Sequence, residues 1–183
     1  MSLDALVDTL PPYAKDLKLN FSAVVRQQNE LNTQQLWGTV VACAMASRNA
    51  DLTATALEEA AKHTTQQALE AAKGASAVMA MNNIFYRFLH FSSNEKYGTM
   101  RAGLRMNVIR THGIDQLDFE LWCTAVSAVN GCATCVDSHE KVLRERGFGE
   151  EKIMAAVRIA SVLHAIAVVL DTERVAAPQP MIA

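Results

Sequence analysis

A surplus of charge of either sign is missing from this 183-residue chain: 17 Lys and Arg stand against 19 Asp and Glu, a formal net charge of −2. No run of one sign exceeds a few residues, so nothing here recruits nucleic acid or anionic lipid by bulk charge. No uninterrupted apolar stretch reaches the ~18 residues of a membrane-spanning helix. The start, Met1-Ser2-Leu3-Asp4, has neither the basic nor the apolar region of a secretory signal. A cytoplasmic protein outside the membrane is therefore expected. Cysteine is sparse, four in all, and in that compartment the thiols read as reduced, catalytic or metal-binding rather than as a disulfide framework. The alternating β-branched runs that mark strands are absent as well.

What is present, at 50% hydrophobic and 20% charged residues, is helical periodicity along almost the whole chain. The expectation is one all-α domain over residues 1–183, with a frayed tail from about 172 onward. After a short helix over Leu3 to Thr9, Pro11-Pro12 forces a break, and a second helix is expected over Tyr13 to Gln27. Asn32 with Gln35 resembles a capping box for a helix over Thr33 to Ser47. Asp51 is the expected cap of a helix from Leu52 to His63, and Thr64 with Gln67 marks the start of a long helix through Phe88. That helix is apolar on nearly all sides and is expected to be central. Residues 92–100 read as the main loop, followed by a short helix over Ala102 to Arg110. Asp115 caps a helix over Gln116 to Val129 that ends at Asn130-Gly131. The next starts at Cys132 and stops at Gly147, and the last spans Glu150 to Leu170. Ala77-Val78-x-Ala80-x-Asn82 recurs as Ala125-Val126-x-Ala128-x-Asn130, an offset of 48 that suggests a duplicated helical hairpin.

The sharpest chemical feature is Cys132-Ala133-Thr134-Cys135 at a predicted helix start. Thiols three residues apart lie on one helical face at a separation that suits a disulfide. The unpaired N–H groups and macrodipole of a helix N-terminus favour a thiolate there. His139, four residues beyond Cys135, lies one turn further along the same face, placed to accept or relay a proton. An antiparallel turn at Asn130-Gly131 brings Glu120 of the preceding helix back beside them. Two other readings stay open from spacing: Cys132, Cys135 and His139 as zinc ligands, although no second ligand pair follows them, and an incidental dithiol in a structural oligomer. Cys43 and Cys123 sit among apolar neighbours as inert thiols, and Trp37 and Trp122 read as packing anchors. His164 reads as a core or interface residue, and His63, His90 and His112 show no obvious partners. Met79, Met81 and Met106 fill the core or line an apolar peroxide channel. Lys141, Arg144, Glu145 and Arg146 read as a solvated face.

Glu120, eleven intervening residues, then Cys132-x-x-Cys135-x-x-x-His139 resembles the signature of the alkyl hydroperoxidase D (AhpD) family. Pro12-Tyr13-Ala14-Lys15-Asp16, Gln35-Leu36-Trp37-Gly38-Thr39, Met81-Asn82-Asn83-Ile84-Phe85-Tyr86-Arg87 and Gly103-Leu104-Arg105-Met106-Asn107 resemble segments of that family too. The resemblance implies an all-helical fold with an internal duplication, assembled as a homotrimer. It implies a peroxidase that reduces alkyl hydroperoxides and regenerates the peroxiredoxin AhpC. In that scheme Cys135 attacks the peroxide and becomes a sulfenic acid, His139 and Glu120 relay protons, and Cys132 is proton donor and resolving thiol, closing a Cys132–Cys135 disulfide. No tightly bound cofactor or metal is expected. The reductant implied is a dihydrolipoyl group on the acyltransferase of a 2-oxo acid dehydrogenase complex, recharged by dihydrolipoamide dehydrogenase. Ala133-Thr134 departs from the Ser-His that well-known members carry between the cysteines. Carboxymuconolactone decarboxylases share the wider fold, and fold alone does not separate them from peroxidases.

Overall fold

The computed structural model describes residues 1–176, and among these residues all regular structure is helical, with no strand. Ser2 caps α1 (Leu3–Asp8), which buries Leu3, Leu6 and Val7. The segment expected as one helix over Tyr13 to Gln27 is three pieces: a 3₁₀ turn at Pro12–Ala14, α2 (Lys15–Phe21) and a π-helical turn at Ser22–Arg26. Arg26 sits at the far end of this segment. Its guanidinium binds Asp4 at 2.7 Å and Glu59 at 2.6 Å, tying this segment to two other elements.

α3 (Thr33–Ala46) starts with the anticipated capping box: the Gln35 N–H donates to the Asn32 side chain at 2.9 Å, and the Asn32 N–H to the Gln35 side chain at 3.2 Å. The cap of α4 (Ala50–Ala60) is Asn49 rather than Asp51; its side chain accepts from the Leu52 N–H while its amide reaches Asp171. Asp51 falls inside the first turn, where a carboxylate complements the macrodipole. α5 (Gln66–Phe91) is capped by Thr65, one residue later than expected. The loop over 92–100 contains the short α6 (Lys96–Thr99), and the helix expected over Ala102 to Arg110 contracts to α7 (Val108–Thr111). α8 (Gln116–Val129) has the predicted bounds and its Asp115 cap. α9 (Ala133–Glu145) follows, and Gly147 takes a left-handed φ of 71° after it. α10 (Glu150–Ala176) runs past the expected end at Leu170, so residues 172–176 of the expected tail are helical; the rest of that tail lies outside the described residues.

α3 and α8 form the centre, each packed on α5, α10 and the other, with α4 flanking α3 and α9 flanking α8. Every residue from Gln35 to Ala44 and from Asp118 to Ser127 is buried. This corrects the expectation for α5. Its first half buries one face, from Ala68 to Met79, with Gln66, Gln67, Glu70 and Ala77 exposed, and further on Ile84, Phe88 and Phe91 are half or more exposed. Apolar composition all round does not distinguish a central helix from one whose end projects. α10 is long and apolar enough by composition to cross a membrane, yet half of that apolar window is buried in the core.

The buried Asp118 carboxylate clamps the central pair, accepting from Gln34 Nε2 at 2.7 Å and Gln35 Nε2 at 2.8 Å. Trp122 Nε1 donates to the Gln35 carbonyl at 3.2 Å, with its indole lying over Gly38. Such a close approach is open only to a residue without Cβ.

The hairpin is not repeated at the offset of 48, because α5 runs unbroken through Ile84 and Arg87 where α8 and α9 turn. The element pattern does recur at a larger spacing. α3, α4 and α5 begin at 33, 50 and 66, and α8, α9 and α10 begin at 116, 133 and 150. The first two pairs of starts are offset by 83 and the third by 84, and the left-handed residue of each turn, Arg48 with φ 64° and Gly131 with φ 67°, is also offset by 83. Asn49 then stands where Cys132 does and Leu52 where Cys135 does, so the first turn carries no thiol.

Candidate active site

The α8–α9 turn is built by backbone geometry and then locked from α5. Gly131 supplies the left-handed residue at little conformational cost. The Cys132 N–H closes on the Ser127 carbonyl at 3.1 Å. Arg87 Nη1 donates to the Asn130 carbonyl at 2.6 Å, and Asn130 Nδ2 to Asn83 Oδ1 at 2.9 Å; Asn83 Nδ2 in turn reaches Ser127 Oγ at 3.0 Å. Cys132 is the N-cap of α9 and Cys135 lies in its first turn. Their Cα atoms are 5.3 Å apart and their sulfurs are joined as a disulfide. Cys132 is fully buried and Cys135 almost so.

The turn brings Glu120 and His139 together as anticipated, with His139 Nδ1 2.5 Å from Glu120 Oε2. Burial pushes the Glu120 carboxyl up, but the hydrogen bond and charge of His139, with smaller help from Gln116 and His112, hold it below the ordinary carboxylate value. The carboxylate's contribution to stability is therefore present above its unfolded value and lost as pH falls through the lowered folded one.

Sequence reasoning missed two residues that support this pair. Gln116 Nε2 donates to Glu120 Oε1 at 2.7 Å, and His112 Nε2 lies 2.9 Å from Gln116 Oε1. The Ile114 N–H donates to His112 Nδ1 at 3.2 Å, which assigns the ring proton to Nε2 and makes His112 a donor to Gln116. His112 also stacks on Phe119 at 4.2 Å. The result is a one-way chain from His112 through Gln116 that fills one oxygen of Glu120 and leaves the other for His139. For Gln116 the four-residue spacing to Glu120 on α8 was the available signal, since residues four apart share a helix face; His112, outside that helix, carried none.

Cys135, Thr134, Ser138 and His139 form one wall of a cavity of about 310 Å³, faced by Met79, Asn82, Tyr86, Met106 and Ile109. Two of the three methionines singled out from sequence are thus at this site; Met81 packs against the core instead. The Asn82 amide oxygen is buried without a hydrogen-bond partner, an arrangement that costs about 1–3 kcal/mol. Ala133 and Thr134, between the two cysteines, are exposed.

The remaining sequence candidates fall elsewhere. His63 stacks on Trp37 at 4.5 Å and His90 lies beside Phe91 at 5.7 Å, so these rings do have partners. His164 is exposed, not in the core, at the edge of a polar cavity with Arg48 and Arg87. Lys141 and Arg144 lie in the exposed face as expected, 3.8 Å and 3.2 Å from Glu145 and Glu140. For the zinc alternative, the sulfurs of Cys132 and Cys135 are bonded to each other and His139 turns Nδ1 to Glu120. Among the described residues no group of three or more Cys, His, Asp or Glu gathers as a ligand set.

Cys43 and Cys123 are fully buried, and burial pushes both thiols far up. In the folded, reduced protein a disulfide reagent should attack Cys135 at the cavity, and the adjacent Cys132 should then displace the mixed disulfide and release a second equivalent, while Cys43 and Cys123 react only on denaturation. Four fast thiols would contradict the packing.

Fold and site together define an all-helical protein with a Cys-x-x-Cys pair at a helix N-terminus, backed by a buried glutamate–histidine pair. Residues 95–178 match the carboxymuconolactone decarboxylase family. Over its full length the chain is 64% identical to "Alkyl hydroperoxide reductase AhpD" of Acidobacterium capsulatum, covering all of both chains. The protein of the same name from Koribacter versatilis is 64% identical over 94% of this chain and 89% of its own. That of Streptomyces coelicolor is 53% identical over 98% of this chain and 100% of its own. The chain belongs to the AhpD family.

Proposed function

We propose that the chain is a thiol peroxidase that reduces alkyl hydroperoxides with the Cys132/Cys135 dithiol. The observation that carries the reading is that Cys135, half of a closed dithiol, opens with His139 on one mainly apolar cavity while Glu120 fixes His139 from behind. The names of the full-length relatives support the substrate class. His139 takes the Cys135 proton, helped by the Glu120 carboxylate, and the helix N-terminus favours the thiolate. The thiolate attacks the terminal peroxide oxygen: an S–O bond forms, the O–O bond breaks, and the departing alkoxide takes a proton from Cys132. The Cys132 thiolate then displaces hydroxide from the Cys135 sulfenic acid, closing the disulfide, and the proton held by His139 makes the hydroxide water. Two thiols and one hydroperoxide thus give one alcohol, one water and one disulfide.

A dihydrolipoyl group, presented by the acyltransferase of a 2-oxo acid dehydrogenase complex and recharged by dihydrolipoamide dehydrogenase, is the proposed reductant. It opens the disulfide by thiol exchange and leaves as the cyclic lipoyl disulfide. The peroxiredoxin AhpC is the proposed partner that the dithiol reduces. We read the working form as a cytoplasmic homotrimer, each copy one unit over residues 1–183. The test is NADH consumption with lipoamide, dihydrolipoamide dehydrogenase and cumene hydroperoxide, with and without AhpC. Turnover is expected in both arms; none in either would overturn the reading.

Glu120→Gln removes the carboxylate that holds His139 through Nδ1. Oxidation of the reduced protein by hydroperoxide should slow roughly 100-fold at neutral pH. The rate should recover partly as pH rises, because the thiol then ionises without help. Stopped-flow oxidation across pH checks this, and a wild-type profile would remove Glu120 from the relay.

A further inference from the structure

Asn82 and Asn83 are adjacent on α5, both buried, and used differently. Asn83 is spent on structure, accepting from Asn130 and donating to Ser127. Asn82, 4% exposed, has an amide oxygen with no partner and lines the cavity with Cys135 and His139. A buried amide oxygen left unpaired in a side chain that lines the cavity beside a reactive sulfur points to a ligand that completes it. Met79, Met106 and Ile109 give the cavity an apolar surface, and the hydroxyls of Tyr86, Thr134 and Ser138 are its other uncharged polar groups; none of these three combines a carbonyl acceptor with an adjacent N–H donor as the Asn82 amide does.

We propose that Asn82 is a substrate-binding residue that holds the hydroperoxide group itself; the inference rests on the peroxidase reading above. A hydroperoxide carries a donor, the terminal O–H, beside an acceptor, the inner oxygen bonded to carbon. A primary amide presents the converse pair, C=O beside N–H. Asn82 Oδ1 accepts from the terminal O–H, and its amide N–H donates to the inner oxygen. That N–H bond strengthens as the inner oxygen becomes alkoxide, so it favours the transition state over bound substrate. The amide neither gains nor loses a proton; Cys135 is oxidised, the O–O bond is reduced, and the alkoxide proton comes from Cys132 as before. The apolar wall takes the organic group, so the bound class is an alkyl or aralkyl hydroperoxide.

The test uses full-length reduced protein with Asn82→Leu, which keeps the size and deletes both polar atoms, and Asn82→Ser as a milder second variant. Oxidation rates are measured with cumene hydroperoxide and, separately, with diamide, a thiol oxidant that has no hydroperoxyl group. The expected result is a loss of about 10- to 100-fold for cumene hydroperoxide, with the diamide rate and dihydrolipoamide re-reduction unchanged. Equal losses with both oxidants would make Asn82 structural and overturn the proposal, as would wild-type rates with cumene hydroperoxide. If the Asn82→Leu substitution destabilises the fold, as judged by its melting temperature, the serine variant decides on the same ratio of the two rates. Wild-type protein inert to cumene hydroperoxide but oxidised by diamide would instead overturn the peroxidase reading.

Discussion

Cys135→Ser should abolish peroxide turnover, and Cys132→Ser should abolish it in a different way. A serine hydroxyl at neutral pH is not ionised, so without Cys135 there is no nucleophile at the cavity wall and no oxidation should be detectable even in a single turnover. Without Cys132 the Cys135 thiolate still meets the peroxide, but its sulfenic acid has no partner thiol one helical turn away. The second variant should react once, stop, and accumulate sulfenic acid trappable by dimedone. The asymmetry follows from position: Cys135 lines the cavity with His139, while the buried Cys132 caps the helix and is not part of that lining. The measurement is mass spectrometry of each reduced variant after one equivalent of cumene hydroperoxide. A dimedone adduct on Cys132 in the Cys135→Ser protein would reverse the assignment.

Gly38→Ala should be the most destabilising single methyl addition in the central helix pair. Alanine is favoured over glycine in a helix interior by about 1 kcal/mol, so α3 considered alone predicts a gain. The tertiary contact predicts the opposite. A Cβ at position 38 would lie 1.9 Å from Trp122 Cζ2 and 2.1 Å from Cε2, inside any tolerable separation. The indole cannot swing aside at little cost, because it is fully buried and its Nε1 is bonded to the Gln35 carbonyl. Overpacking of this kind costs about 3 kcal/mol, which leaves a net loss of about 2 kcal/mol after the propensity gain and corresponds to a fall in Tm of roughly 6 °C for a chain this long. Gly98→Ala is the control: nothing lies within 4 Å of a Cβ there. Thermal unfolding of both variants decides the matter, and a Gly38→Ala melting temperature at or above wild type would refute the close approach of α3 and α8.

Much of the site was readable because it is local. Asp115, Asn130, Gly131 and Cys132 define a helix end, a reversal and a helix start within 18 residues. Two helices joined by such a tight turn must run back on one another, so Glu120 had to return near His139. Caps were less secure where candidates crowd together. Asn49 and Asp51 both have capping side chains, and the left-handed Arg48 just before them, matching Gly131, puts the helix start at the former. His112 and Gln116 escaped notice because His112 lies outside the helix whose residue it orients, so a helical pattern does not mark it. Asn82 and Gly38 fall in segments that resemble the family, but nothing in the sequence marked the role of either: one is defined by the partner it lacks, the other by an indole 84 positions away in the chain.

The sequence by itself determined the all-helical class, the bounds of α8 and α9, and the gathering of Glu120, Cys132, Cys135 and His139, because each depends on spacing of a few residues and on backbone preferences that act locally. Only the tertiary structure decided that α3 and α8, and not α5, form the centre. It also decided that Asn83 and Arg87 brace the reactive turn and that Cys135 faces a cavity containing an unpaired amide. The physical reason is that an apolar face is the same in sequence whichever helix covers it, and a polar side chain shows its role only once its surroundings have either satisfied it or left it unpaired.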